Sequence, residues 1–413
     1  MSWSRRLTTR SSGSKRSAKL IELAEHFGAH NYHPLPVVLT RGRGIFVWDV
    51  EGKRYFDMLS AYSALNQGHV HPKIATAARR QLGRLTLTSR AFHNELMGPL
   101  LERLCKLAGM DRAILMNSGA EAVETAIKAM RLWGYRKKGI PDGRAEIIVC
   151  ENNFHGRTTT IVGFSSDPLS TDGFGPATPG FKIIPYGDAA ALRAAIGPNT
   201  CGFLVEPIQG EAGVNVPPRG YLREVRAICS AQNVLWAADE IQTGLGRTGR
   251  MFCVDHEGAK PDLLILGKAL SGGFYPVSAV LSREDVLGLY APGTHGSTFG
   301  GNPLACAIAQ ASLDVLEDER LADKAEKMGA YFMERLQGLD HPALRGIRGR
   351  GLLIGVEFSG AARPLCEALM KRGLLAKDTH EKTLRLAPPL VITKPQIDAA
   401  LKILAAALKE FVL

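Results

Sequence analysis

Two short apolar runs, Val234–Ala238 and Leu263–Leu266, constrain the fold more than any other feature of the chain. Each is too short for a globular helix and is bounded by polar residues or glycine, the pattern of a strand buried on both faces of a parallel sheet. Each also leads into a charge: Asp239 follows the first directly, and Lys268 follows the second after Gly267. Ligands of open α/β sheets bind beyond the carboxyl ends of the strands, so a carboxylate and an amine are offered to one crevice.

From Lys73 onward helical and strand patterns alternate, which predicts an α/β fold with a mostly parallel sheet. Ala113–Met116 runs into Asn117, Ser118, Gly119 and Ala120, followed by an apolar helical stripe from Glu121 to Trp133. Small residues at such a turn leave N–H groups free at the positive end of a helix, where a phosphate binds. Ser118, with Glu121 three residues on, also fits a plain capping box. Ile147–Cys150 leads into Asn152–Arg157, and Phe203–Val205 into Glu206–Glu211; Ser278–Ser282 reads as one more strand of the same sheet. Polar or aromatic residues at five strand ends describe a cofactor platform. The Asp239 and Lys268 pair meets the needs of pyridoxal phosphate (PLP), which takes a lysine for covalent attachment and an acid beside its pyridine nitrogen. A salt bridge at a sheet rim is the other reading of those two residues.

A chain of 413 residues exceeds what one core usually supports. We expect a large PLP-binding domain over 73–304 and a smaller α+β domain over 305–413, with the N-terminal segment 21–72 packing on the smaller one. Alternation around Asp49–Gly52 predicts a hairpin in that segment. Met1–Leu20 holds six Lys or Arg, eight Ser or Thr and no acid; it reads as a disordered basic arm, or alternatively as a presequence for the mitochondrial matrix. Much of the net charge of +11 lies there, and the other basic residues are mixed with acids. That balance favours an anionic cofactor or substrate over nucleic acid. No apolar run approaches the roughly 18 residues of a membrane span. Seven scattered cysteines without CxxC spacing indicate a reducing compartment such as the cytoplasm and no zinc site. His69 and His71 would share one face of a strand but lack a third ligand, so no metal is expected. GLGRTG (244–249) matches GxGxxG formally, yet no helical spacing follows it, which argues against a dinucleotide site.

The motifs GAHNYHPLPV, SAYSALNQGH, MNSGAEA, NNFHGRT, EPIQGEAGV, ADEIQTGLGRTG, LGKALSGGFYPVSAV, STFGGNPLA and LAPPLVI occur in that order. With them the chain resembles the class III PLP-dependent aminotransferases from about His26 to its end, and within that family the branch acting on the δ-amino group of ornithine. The resemblance implies a PLP fold of type I and a homodimer or higher homo-oligomer with sites at the subunit interface. It also implies transfer of the ornithine δ-amine to 2-oxoglutarate, giving glutamate 5-semialdehyde and glutamate by a ping-pong mechanism. N-acetylornithine or 4-aminobutyrate is the alternative amine. Carried over, Lys268 is the Schiff-base lysine and acid/base, Asp239 the partner of the pyridine nitrogen, and Gln242 the partner of the 3-hydroxyl. Phe154 stacks on the ring; Ser118, Gly119 and Ala120 hold the phosphate, with Thr298 of the other subunit. Arg157 grips a carboxylate, and Tyr32 and Tyr62 hold the α-amino end of ornithine. Glu211 and Arg385 form a switching pair that hides Arg385 from ornithine and frees it for glutamate. Two departures stand out: Phe299 replaces a frequent tyrosine at the interface, and Asp378 replaces a usual proline, which predicts a looser loop near Arg385.

Overall fold

The computed structural model describes residues 15–410. Its first sheet starts with β1 (Leu39–Arg43), β2 (Phe46–Asp49) and β3 (Arg54–Asp57), the last two forming the expected hairpin. The central sheet follows with β4 (Arg112–Met116), β5 (Glu146–Cys150), β6 (Phe181–Ile184), β7 (Thr200–Val205), β8 (Leu235–Asp239), β9 (Leu263–Leu266) and β10 (Ser278–Ser282). Their spatial order is β4-β10-β9-β8-β7-β5-β6. Only β10 runs against its neighbours, pairing antiparallel with β4 and β9. Every residue of β7, β8, β9 and β10 is buried. Helices therefore cover both faces, which is why these strands read as unbroken apolar runs rather than alternating ones.

A third sheet, ordered β11-β12-β15-β14, comprises β11 (Leu344–Arg350), β12 (Leu353–Phe358), β14 (Lys377–Thr379) and β15 (Thr383–Leu386). Between its strands, β13 (Leu374–Leu375) leaves to pair parallel with β3, so a C-terminal segment completes the N-terminal sheet. Lys377–Thr379 is thus a paired strand, with Asp378 opposite Leu384, and not the looser loop that the sequence led us to expect. Helices Pro303–Asp318, Leu321–Gln337, Arg363–Lys371 and Lys394–Leu408 belong to the same C-terminal part of the chain. The first helix, Lys15–Phe27, opens inside the stretch read as a disordered arm; residues 1–14 of that arm lie outside the described residues. No helix among the described residues is long and apolar enough to cross a membrane.

The two histidines read as sharing a strand face do not do so. His69 pairs with Asp57 at 2.7 Å, and His71 precedes helix Pro72–Leu82 and pairs with Glu319 at 2.8 Å. GLGRTG forms turns and opens no helix. Its Arg247 is fully buried and donates Nη1 to the carbonyls of Leu352 (3.0 Å) and Pro388 (2.6 Å) and Nη2 to Asn66 Oδ1 (2.6 Å). Burial pulls its pKa down to about 9.

Candidate active site

The ends of β4, β5, β7, β8 and β9 open on one crevice of about 190 Å³. Gly119 and Ala120, Phe154 and His155, Glu206, Asp239 and Lys268 line it, one group from each strand end. The residues that sequence reasoning assigned to the crevice floor are therefore brought together. Ser118 caps helix Gly119–Trp133: its Oγ accepts the Glu121 N–H at 3.2 Å, and Glu121 Oε2 accepts the Ser118 N–H at 2.7 Å. The capping box and the phosphate cradle are compatible, because capping leaves the N–H groups of Gly119 and Ala120 free of the box.

Asp239 is buried at the end of β8. His155 Nδ1 donates to its Oδ2 at 2.7 Å and the Ile241 N–H to its Oδ1 at 3.1 Å. The other ring nitrogen of His155 is buried without a hydrogen-bond partner. Lys268 takes a left-handed backbone conformation (φ +40°), a strained state for a side-chain-bearing residue and one that concentrates at functional sites. Burial pulls its amine below the ordinary 10.5, against the opposing charges of Glu211 and Asp239. Glu206 accepts the Phe154 N–H at 3.0 Å; burial, then the charge of Asp239, pushes its carboxyl well above the usual range. His155 and Glu206 carry no role in the sequence reading. The only signal they leave is their place at the strand ends already singled out.

Above this floor stands a second set. Tyr62 lies in a run of four left-handed residues, Ser60 (φ +52°), Ala61 (+47°), Tyr62 (+61°) and Ser63 (+71°). Asp57 Oδ1 holds the run by accepting the N–H groups of Leu59 (2.8 Å) and Ser60 (2.9 Å), and Ser60 Oγ donates to Ala387 O at 2.6 Å. Arg385, on β15 and 1% exposed, donates to Glu211 Oε1 at 2.6 Å, and its guanidinium lies 5.1 Å from the Tyr62 ring centre. Its Nε and Nη2 are buried and unpartnered. Gln242 Nε2 also donates to Glu211 Oε1, at 3.0 Å. Burial by itself would raise the Glu211 carboxyl, but the charge and hydrogen bond of Arg385 outweigh it and hold it below the usual carboxylate value. A Cβ at Gly210 would stand 1.7 Å from Gln242 Oε1, so a side chain there would displace the Gln242 amide.

Arg157 is exposed, its guanidinium 5.7 Å from the Phe154 ring centre. Tyr32 is 66% exposed. The Tyr62 phenol is pushed up by burial first and by Glu211 next, and Tyr32 and Arg157 both act on it electrostatically, so all four share one neighbourhood. Thr298 is exposed and does not line the crevice of its own chain. It sits beside Ser297, whose Oγ accepts from Asn117 Nδ2 at 2.7 Å.

A buried amine of lowered pKa, a buried carboxylate opposite it, an aromatic face and a helix N-terminus form a donor set that fits PLP. The family model for class-III aminotransferases matches residues 27–408. The chain belongs to the class III aminotransferases. Within this family it is 57% identical over 387 residues to the ornithine aminotransferase of Geobacillus sp. (strain WCH70), covering 94% of this chain and 97% of that one. The ornithine aminotransferase structure from Toxoplasma gondii, in which PLP partially occupies the active site, superposes with a TM-score of 0.94 at 46% identity, covering 95% and 94% of the two chains. An acetylornithine aminotransferase from Elizabethkingia anophelis gives 0.87 at 50% identity, covering 96% and 99%.

Proposed function

We propose that the protein is a PLP-dependent transaminase that moves the δ-amino group of L-ornithine to 2-oxoglutarate, yielding glutamate 5-semialdehyde and glutamate by a ping-pong mechanism. The observation that carries this reading is the closed Glu211–Arg385 pair at 2.6 Å, set against Tyr62 at the crevice that Lys268 and Asp239 floor. The pair withholds Arg385 from a diamine substrate and has the means to release it to a dicarboxylate.

Bound in this crevice, PLP supplies the electron sink that makes the C–H bond beside the substrate amine ionisable. Lys268 would hold the cofactor and, as an amine whose burial favours the neutral form, would carry the proton from the substrate δ-carbon. Asp239, oriented by His155, would pair with the pyridine nitrogen. Gly119 and Ala120 offer N–H groups to the phosphate, Ser118 fixes the helix start, and Thr298 of a second subunit completes the cradle, which makes a homodimer part of cofactor binding. Phe154 and Gln242 line the crevice, where Phe154 would stack on the cofactor ring and Gln242 would meet its 3-hydroxyl. Arg157 takes a substrate carboxylate with its fork, and Tyr32 and Tyr62 take the α-amino end of ornithine. In the second half-reaction Glu211 swings away and the unpartnered Nη2 of Arg385 meets the glutamate α-carboxylate. The seven free cysteines suit work in the cytoplasm.

The likeness to the E. anophelis acetylornithine aminotransferase keeps a second amine, N-acetylornithine, in play. Both are tested by following the visible absorbance of the holoenzyme while L-ornithine, N-acetylornithine and 4-aminobutyrate are added separately without a keto acid. Bleaching by ornithine at the lowest concentration is the expected result; preferential bleaching by another amine would retain the family and replace the substrate.

A further inference from the structure

The segment that carries Tyr32 packs Leu35 against the main core but is poor in hydrogen bonds. Over residues 29–37 it forms no helix or strand, and its internal bonds are local, Asn31 N–H to Ala29 O at 2.8 Å and Val37 N–H to Leu35 O at 2.7 Å. Among the described residues, the hydrogen bonds that tie it to a distant part of the chain come from one guanidinium. Arg363, the first residue of helix Arg363–Lys371, donates Nη1 to His33 O at 3.0 Å and Nη2 to Pro34 O at 2.9 Å. Its Nε donates to Glu367 Oε1 at 3.3 Å, one turn along the same helix, which fixes the plane of the fork. The guanidinium also lies 3.8 Å from Asp378 Oδ1 on β14. Asp378 faces Leu384 across the β14–β15 pair, and Arg385 is the next residue. One side chain therefore bridges the segment of Tyr32 and the strand pair of Arg385.

We propose that Arg363 is a specificity-determining positioning residue: by gripping the His33 and Pro34 carbonyls it holds Tyr32 over the crevice mouth and so sets the affinity for ornithine. The inference rests on the reading of Tyr32 given above. In that reading glutamate is held by Arg157 and Arg385 and not by Tyr32, and Arg363 reaches the strand pair of Arg385 only through the 3.8 Å approach to Asp378, so the glutamate half-reaction depends on Arg363 far less than the ornithine one. A fork matched to two consecutive carbonyls leaves the segment one geometry, whereas a lysine at this position reaches one carbonyl at a time.

The test uses four holoenzymes, the wild type, Arg363→Met, Tyr32→Phe and the double variant, with kcat and KM measured for ornithine and for glutamate. Arg363→Met is expected to raise the ornithine KM about tenfold, the scale of two lost hydrogen bonds. Its kcat and its glutamate KM are expected to stay within about twofold. The double variant is expected to be no worse for ornithine than Tyr32→Phe, because residues acting through one contact are not additive, and Arg363→Lys is expected to recover part of the loss. If Tyr32→Phe raises the ornithine KM and Arg363→Met does not, the inference falls while the reading of Tyr32 stands. Additive effects would overturn it too, since Arg363 would then act by another route. Parallel losses for ornithine and glutamate, with a lowered Tm, would reduce Arg363 to a structural role. No effect of Tyr32→Phe would remove the reading of Tyr32 and the inference with it.

Discussion

The floor and the rim of the crevice are built by different means. Glu206, Asp239 and Lys268 stand at or just beyond the ends of fully buried strands of one sheet, whose neighbours fix their register, and His155 in the loop that follows β5 is joined to Asp239. Tyr32, Tyr62 and Arg157 come from a segment without helix or strand, a left-handed turn and a loop, while the rim's Arg385 comes from an inner strand of another sheet, paired on both sides. Groups that exchange protons must be placed to a fraction of an ångström, and strand ends achieve this. Groups that choose between a diamine and a dicarboxylate must rearrange, and tethered segments allow it.

This contrast predicts that floor substitutions abolish turnover without altering preference, and that rim substitutions do the reverse. Lys268→Ala should lower kcat with every substrate by roughly four orders of magnitude, with a Tm of the apoprotein no lower than that of the wild type because a desolvated amine is removed. Asp239→Asn should cost roughly 100- to 1,000-fold in kcat with ornithine and glutamate alike; a loss confined to one of them would break the division. Glu211→Gln should leave kcat for glutamate nearly intact and shift the ratio of kcat/KM for ornithine to that for glutamate by roughly tenfold toward glutamate, because Arg385 is then no longer held by a charge.

The smallest effect concerns stability and sharpens the picture of the floor. The Glu206 carboxyl has its pKa raised in the folded state, so the native protein retains a proton that the unfolded chain releases above its ordinary 4.5. That contribution is complete below 4.5 and is lost as the pH rises toward the raised value. Glu206→Gln should therefore flatten the decline of Tm as the pH rises above the ordinary carboxylate range, as read by thermal melts of the apoprotein. An unchanged slope would show that Glu206 is not the group responsible.

Much of the floor was legible because strand burial and chemistry coincide in the sequence: an apolar run that stops at Asp239 or just short of Lys268 announces both. The rim was legible only through its likeness to a family. Nothing in Ser60-Ala-Tyr-Ser63 favours a left-handed backbone; Asp57 and the distant Ala387 impose it. The pairing of His155 with Asp239 joins residues far apart in the chain, and only the fold brings them to 2.7 Å. β6 escaped notice as a short, half-exposed edge strand. β11, LRGIRGR, has neither alternation nor an apolar run, and its strand character comes from pairing with β12. The grip of Arg363 on the Tyr32 segment belongs to the same class of contacts between distant, individually unremarkable residues.

The buried Arg247 has a consequence for how the molecule is made. An enclosed cation with too few acceptors is costly, and the acceptors of this one belong to Asn66, Leu352 and Pro388. In a chain emerging from its N-terminus Arg247 stays hydrated, because it cannot be buried with its acceptors until Leu352 and Pro388 arrive, long after Asp239 and Lys268 have been made. The turn leading away from Asp239 can therefore set only at the end of synthesis, so a nascent chain has no finished crevice in which to capture its cofactor early.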